Sequence, residues 1–251
     1  MKVTFIDHSS FLVELSDKYL LFDYYRGELP DMDREKELYV FSSHSHYDHY
    51  NTEIFKLSDS FTKVRYILSY DIAEEFEGDL MDLGKELSEK VREQVIFMEP
   101  HERKKISPFS GEGIETETLR STDLGVAFIV TAEGKTIFHA GDFQWWDWPG
   151  EPKEDNLKAK GDFFSELLRI ENKTMDVAFL VLDPRQESSE FWGMDTILSR
   201  VHVGTVFPMH FWGDFNIVKR YSERLEKGEV SFLSRPPRFV EIRRRGESFE
   251  L

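Results

Sequence analysis

The chain has 251 residues, with 48 acidic against 32 basic side chains, a formal charge of −16 at pH 7 and no cysteine. The absence of cysteine excludes disulfide scaffolds, thiolate metal sites and cysteine nucleophiles, so any bound metal must use His and carboxylate donors. The negative charge disfavours nucleic acid and acidic membrane surfaces as partners. Because no run of about 18 apolar residues and no leader-like start is present, we expect a cytoplasmic protein.

The predicted elements begin as an antiparallel meander and then alternate between strand and helix. Alternating apolar residues indicate short strands near Val3, Phe11 and Leu20, and the apolar run 38–41 indicates a buried strand. The stretch 148–162 is rich in Pro, Gly, Lys and Glu and predicts a mobile loop. The remaining strands are expected at 64–68, 95–98, 114–119, 126–131, 136–139, 177–182 and 205–208, and the main helices from about 52, 71, 163, 194 and 216. This order predicts two packed sheets with helices outside, in one domain over residues 1–251.

The segment that carries chemistry is His44-Ser45-His46-Tyr47-Asp48-His49, directly after a predicted strand. Three imidazoles and a carboxylate within six residues suit a metal ion, since neutral imidazole and carboxylate are good ligands for zinc and its neighbours. His44 and His46 can reach one ion, and Asp48 and His49 can reach a second a few ångströms away. In a surface loop without a metal, these side chains would take the place of apolar packing and would gain no compensating interaction.

Two later segments place a metal-binding side chain at a strand end in the same way. Asp142 follows the small-residue turn of Ala140 and Gly141, and His210 follows the apolar run that ends in Met209. With the first motif they complete a site, in which one carboxylate bridges two ions and one imidazole binds the second.

These motifs together resemble the metallo-β-lactamase superfamily. The segments 7–13 and 208–211 more narrowly resemble its branch that contains ascorbate-6-phosphate lactonase. The resemblance implies an α+β fold, a four-layer αββα sandwich, with one or two divalent ions at one edge between the sheets. Zinc is the first expectation, and manganese or iron are the alternatives.

The resemblance also implies a role for each residue of the site. His44 and His46 would bind the first ion. Asp48, His49 and His210 would bind the second, and Asp142 would bridge the two. Asp23 would support the His-rich loop by hydrogen bonding, which fixes the orientation and tautomer of the imidazoles. We expect His8 and His139 to have a similar supporting role.

One ligand that the family normally supplies is missing. A further histidine usually reaches the first ion from a strand end between the two motifs, whereas here the stretch 119–125 contains none. Asp123 is the only strong ligand there. In one interpretation Asp123 replaces the imidazole, which would make the first site more tolerant of manganese or iron. In the other, the first site binds its ion weakly and the enzyme works mainly with the second ion. We favour the replacement.

The expected function is that of a metal-dependent hydrolase. An ion that lowers the pKa of bound water to about 7 gives a hydroxide able to attack a small ester, lactone or phosphodiester, with Asp48 as the catalytic residue that orients it. A metal-dependent nuclease is an alternative that the charge of −16 disfavours. A metal-binding module without catalysis is another, and the missing histidine is its support.

All five tryptophans fall on segments expected at the metal edge. We expect Trp145, Trp146, Trp192 and Trp212 to wall a pocket for an apolar, aromatic or sugar-like small molecule; the alternative is that they fill the edge of the core or a dimer contact. Arg185 would meet an anionic group of the substrate or be paired with nearby carboxylates. The oligomeric state is left open by the sequence.

Overall fold

The computed structural model describes residues 1–230 and 236–251, apart from the side chain of Asp82, and within these ranges the strands form two seven-stranded sheets. The first sheet contains β1 (Lys2–Asp7), β2 (Ser10–Glu14), β3 (Lys18–Phe22), β4 (Glu37–Ser42), β5 (Val64–Ser69), β6 (Val95–Met98) and β14 (Ser248–Glu250). The second contains β7 (Arg103–Ile106), β8 (Ile114–Arg120), β9 (Val126–Ala132), β10 (Lys135–His139), β11 (Thr174–Val181), β12 (His202–Met209) and β13 (Arg238–Phe239).

Each sheet is antiparallel in one part and parallel in the other. The predicted meander is confirmed, since β1, β2 and β3 pair antiparallel, and β3 to β6 then run parallel. In the second sheet β7 to β10 pair antiparallel, and β10 to β13 run parallel. Parallel strands in register, such as Phe22 opposite Phe41 and Val181 opposite Met209, end at the same edge. The segments that follow β3, β4, β10, β11 and β12 therefore meet there.

Helices cover the outer faces of both sheets. They are α1 (Leu57–Ser60), α2 (Phe76–Asp79), α3 (Lys85–Gln94), α4 (Lys153–Leu167), α5 (Trp192–Arg200) and α6 (Phe215–Glu226). In β4, Tyr39 and Phe41 belong to the core shared by both sheets, whereas Leu38 and Val40 belong to the core beneath the first layer of helices. Burial on both faces explains the unbroken apolar run of this strand. The expected four-layer αββα sandwich is confirmed.

The prediction of a mobile loop over 148–162 is wrong. Helix α4 begins directly after Pro152 and runs to Leu167. Its Lys, Glu, Ala and Leu residues are good helix formers, and they outweigh the single interior Gly161. Phe163 and Leu167 anchor the helix in the core. Among the helices of residues 1–230 and 236–251, none has both the length and the apolar character needed to cross a membrane.

Candidate metal centre

Eight side chains converge at the edge where the parallel strands end, in two groups whose donor atoms lie within 4.8 Å of one another. We call the first group the buried cluster, and it consists of His8, Asp48, His49 and His210. We call the second group the open cluster, and it consists of His44, His46, Asp123 and Asp142. Every member of the buried cluster is buried, whereas the side chains of His46 and Asp123 are 47% and 49% exposed.

Asp142 lies between the two clusters. Its Oδ1 is 3.3 Å from Nε2 of His49 and 3.3 Å from Nε2 of His210, and its Oδ2 is 3.6 Å from Nε2 of His44. The two oxygens therefore face different clusters, which is the arrangement a bridging carboxylate requires. Asp123 Oδ2 lies 3.6 Å from His46 Nδ1, so this carboxylate occupies the side of the open cluster from which a histidine was missing.

The donor atoms fit a divalent cation. Nε2 of His8, His44 and His49 and Oδ1 of Asp142 are all buried, and none of them makes a hydrogen bond. A buried polar atom left without a partner costs about 1–3 kcal/mol, so four at one place would be a large and concentrated penalty. A cation that accepts lone pairs from all of them removes that penalty.

Asp23 and Ser43 fix the orientation of two of these imidazoles. The Ser43 hydroxyl donates to Asp23 Oδ2 over 2.7 Å, so its only proton is used and Nδ1 of His44 must donate to it, over 2.9 Å. Nδ1 of His49 donates to Asp23 Oδ2 over 2.8 Å. Both rings consequently direct an unprotonated Nε2 towards the clusters. Asp23 is thus where the resemblance placed it, behind the ligands.

Asp183 orients His210 in the same way, a role that was not predicted from the sequence. Its Oδ2 lies 3.0 Å from Nδ1 of His210. Burial alone would raise the pKa of Asp183, but the hydrogen bonds from His210 and Arg185 lower it to about 2, so the carboxylate is ionised and accepts the proton of Nδ1. The available signal was its position directly after the apolar strand β11, the same placement that indicated Asp142.

The charge states suit metal ligands. Burial lowers the pKa of His44 and His49 well below the ordinary value and that of His8 to about 4, so all three rings are neutral near pH 7. Burial raises the pKa of Asp142 to about 7. Burial alone would also raise the pKa of Asp48, yet the surrounding imidazoles hold it below its usual range. A bound cation would favour ionised Asp142, because an opposite charge offsets the cost of burial.

His8 and His139, which were both expected to support the site, lie differently with respect to the two clusters. His8 points its Nε2 into the buried cluster instead of lying behind it. His139 does lie behind, because its Nε2 donates to the carbonyl of Ser9 over 2.9 Å and its Nδ1 accepts from the amide of Gly141 over 3.2 Å. Both nitrogens of His139 are therefore in use, and it is not available as a ligand.

A family model described as a beta-lactamase superfamily domain matches residues 2–146. The chain belongs to this superfamily. A UPF0173 metal-dependent hydrolase from Opitutus terrae is 29% identical over an alignment of 151 residues. The match covers 57% of this chain and 63% of that relative, which is less than two thirds of the relative's length.

Two solved structures are similar to this superfamily member in fold. One is a metallo hydrolase from the hyperthermophilic archaeon Ignicoccus hospitalis, with a TM-score of 0.62, 17% identity, and coverage of 100% of this chain and 98% of the other. The second is the diiron β-hydroxylase CmlA from Streptomyces venezuelae, with a TM-score of 0.57, 12% identity, and coverage of 100% and 54%. At these identities the likeness concerns the fold alone.

In this member of the β-lactamase superfamily, the clusters open into a cavity of about 370 Å³. Trp146, Trp148 and Trp212 line it together with Tyr47 and Arg185. The guanidinium of Arg185 lies 5.2 Å from the ring centre of Trp148 and 4.5 Å from that of Trp212. The cavity is therefore walled by aromatic rings, with a cation beside them.

Trp145 and Trp192 do not line this cavity, which corrects the expectation of one common wall. Trp146 turns its ring towards His210, 5.8 Å away, while Trp145 turns to the other side and packs against Phe164 of α4, 5.1 Å away. Trp145 and Trp192 instead line a separate cavity of about 510 Å³ beside α4 and α5. Tyr47, between His46 and Asp48 in the sequence, and Trp148, two residues after Trp146, complete the wall of the first cavity.

Proposed function

We propose that this protein is a metal-dependent hydrolase that acts on a small ester, lactone or phosphodiester and uses two divalent ions. The observation that carries the proposal is the convergence of buried donors without hydrogen-bond partners on both sides of Asp142. The name of the Opitutus terrae relative, a metal-dependent hydrolase, supports it.

The residues of the two clusters would have two roles, which are to bind the ions and to orient the attacking water. A divalent ion, when bound, acts as a Lewis acid and lowers the pKa of water to about 7. His44, His46 and Asp123 would hold an ion of the open cluster, with Asp142 shared between both clusters. Asp48 lines the cavity and is ionised near pH 7, so it can accept a hydrogen bond from an attacking water and orient it.

The metal we propose first is zinc, because the donors are imidazole and carboxylate without thiolate. Asp123 makes the open cluster richer in oxygen donors than a site with a third histidine would be, which favours manganese or iron as the competing ions. CmlA, which is named as a diiron β-hydroxylase, has the same fold. The metal must therefore be measured before the reaction class is assigned.

The cavity supports a small substrate with an apolar or sugar-like part. Its volume of about 370 Å³ and its three indole rings suit a small molecule, and the charge of −16 disfavours a nucleic acid or an anionic membrane. Arg185 is paired with Asp183 through Nε and Nη2, which agrees with the alternative that nearby carboxylates pair with it. Its side chain nevertheless also lines the cavity. The narrower resemblance to the lactonase branch places lactones among the substrates to be tested.

The test is a turnover screen of the protein loaded separately with zinc, manganese and iron. The panel holds chromogenic esters, lactones and phosphodiesters, and a single-stranded RNA for the nuclease alternative. We expect hydrolysis of one small-molecule class, its loss in Asp48→Asn, and its retention in the control Asp31→Asn, whose side chain is exposed. Tight metal binding without turnover in any arm would favour the non-catalytic module instead.

A further inference from the structure

The buried cluster holds one more imidazole than the resemblance supplies. Asp48, His49 and His210 were the expected ligands, and His8 joins them. His8 is 3% exposed, and its Nε2 lies 3.2 Å from Asp48 Oδ2 without making a hydrogen bond. A neutral imidazole nitrogen enclosed among three other donors thus lacks a hydrogen bond within the described residues, and the Asp48 carboxylate lies beside it.

The backbone holds the His8 ring in place at a cost. His8 has a φ of 51°, and its carbonyl accepts the amide of His210, which has a φ of 64°. Positive φ at a non-glycine residue costs on the order of 1–3 kcal/mol and persists where the surroundings fix it. The His8 ring also packs against those of His210 and Trp212, with centroids 4.2 and 4.5 Å away. Both residues with a positive φ, His8 and His210, therefore direct their imidazoles into the buried cluster.

We propose that His8 binds the ion of the buried cluster directly. With Asp142 Oδ1 it brings the protein donors there to five, namely His8, Asp48, His49, Asp142 and His210. The open cluster has four donors, and two of them are about half exposed. Metal sites closed by protein ligands are structural, whereas catalytic sites keep a position open. The ion of the buried cluster is therefore the one that stays, and the ion of the open cluster exchanges with solvent.

The competing role for His8 is to donate a hydrogen bond to Asp48 from behind. Both roles predict that removal of the ring weakens metal binding, so affinity alone does not separate them. They differ in the number of imidazoles around the retained ion. A direct ligand gives three imidazoles, from His8, His49 and His210, and a supporting residue gives two.

This proposal rests on the metal centre of the proposed function, and its test begins with the zinc-loaded full chain. Dialysis against a weak chelator should remove the ion of the open cluster and leave one ion per chain. X-ray absorption at the zinc edge then counts the imidazoles. We expect three in the wild type and two in His8→Ala, together with release of the retained zinc at least about tenfold faster in the variant.

His202→Ala is the matched control, because His202 is an exposed imidazole at the start of β12. It should leave the imidazole count and the zinc release unchanged. Circular dichroism and melting in excess chelator should show that the metal-free His8→Ala chain is folded. Two imidazoles in the wild type, and the same two in His8→Ala, would overturn direct ligation while leaving the metal centre intact. A wild-type chain that holds no zinc at all would overturn the metal centre itself.

Discussion

Asp183 accepts a hydrogen bond from Nδ1 of His210 over 3.0 Å, and this contact leaves Nε2 of His210 facing Asp142 Oδ1 at 3.3 Å. Asp183 thereby determines the tautomer of the His210 imidazole from the side of the ring that faces away from the clusters. Partners of this kind are worth about 10–100-fold in metal affinity when they are lost. Their effect on a site can therefore be measured without assaying a reaction.

We predict that Asp183→Asn weakens divalent metal binding by about 10–100-fold, since a neutral amide has one acceptor oxygen where the carboxylate has two, which serve His210 and Arg185. Calorimetric titration of the metal-free chain measures the change. Asp176→Asn is the control, because Asp176 lies in β11, the strand that precedes Asp183, and its side chain bonds to Lys135 and Thr136. Equal affinity in wild type and Asp183→Asn would show that Asp183 does not act on the metal centre.

Asp123 gives a second prediction, about the number of ions. Asp123→Ala should reduce the metal content from two ions per chain to one, because it removes a donor from the more exposed cluster. Asp123→His should restore the second ion, since it supplies the imidazole that the resemblance leads one to expect. Elemental analysis after dialysis checks both. Two ions retained in Asp123→Ala would mean that Asp123 is not a ligand.

Gly125 gives a prediction about how the His-rich loop is held. A Cβ at this position would lie 2.1 Å from the carbonyl oxygen of Ser43 and 2.6 Å from Cβ of His44, at a φ of +71°. Gly134 has a φ of +70° and nothing within 4 Å of such a Cβ. Gly134→Ala should cost about 1 kcal/mol of unfolding free energy from the backbone alone. Gly125→Ala should cost about 1–3 kcal/mol more, because the core cannot absorb the added atom.

Urea denaturation of both glycine variants in excess chelator measures this difference without a contribution from bound metal. The same pair compared with metal present shows whether the shift of the loop also disturbs the open cluster. If Gly125→Ala and Gly134→Ala lose the same stability, the β8–β9 turn does not pack against the His44 loop as the structure shows.

Glu133 gives a prediction about pH. In the turn after β9 it accepts the amides of Ser16 and Asp17, over 3.0 and 3.2 Å, and so links the two sheets. Burial alone would raise the pKa of Glu133, but these bonds lower it to about 2. A carboxyl whose folded pKa lies below its ordinary value of 4.5 stabilises the fold above that pH, and the contribution is lost as the pH falls towards 2.

Glu133→Gln should therefore lower the unfolding free energy by about 1.5 kcal/mol at pH 7, and by much less at pH 2.5. Glu28→Gln, at an exposed position, should change little at either pH. Urea denaturation of the chelated proteins at the two pH values makes the comparison. If Glu133→Gln lowered the unfolding free energy by the same amount at both pH values, the ionised carboxylate of Glu133 would not be the source of the stability.

Much of the site was predictable because strand ends are visible in sequence. His44, Asp142 and His210 each lie within three residues of the end of a strand, and parallel strands bring such positions to one edge. Asp123 was predictable as a donor since it stands where a ligand was missing. The fold followed from the same alternation of strands and helices.

The remainder depended on geometry that sequence patterns do not carry. The direction of the His8 ring is set by a positive φ and by a hydrogen bond to His210, 202 residues further along the chain. Trp145 and Trp146 are neighbours in sequence, and only the turn after Asp142 decides which ring meets the cavity. Helix α4 was predicted to begin near residue 163 and not at Lys153, because Pro, Gly and charged residues suggested a loop before it, although most of these residues favour a helix.

We propose above all that two clusters of side chains, joined by Asp142, hold divalent ions for hydrolysis. Elemental analysis of the purified chain after dialysis against metal-free buffer, with and without His49→Ala, tests it most directly. We predict two divalent ions per chain in the wild type, one for each cluster, and a lower content in the variant. A folded wild-type chain that retains no divalent ion, and takes up none when zinc, manganese or iron is offered, would contradict the account.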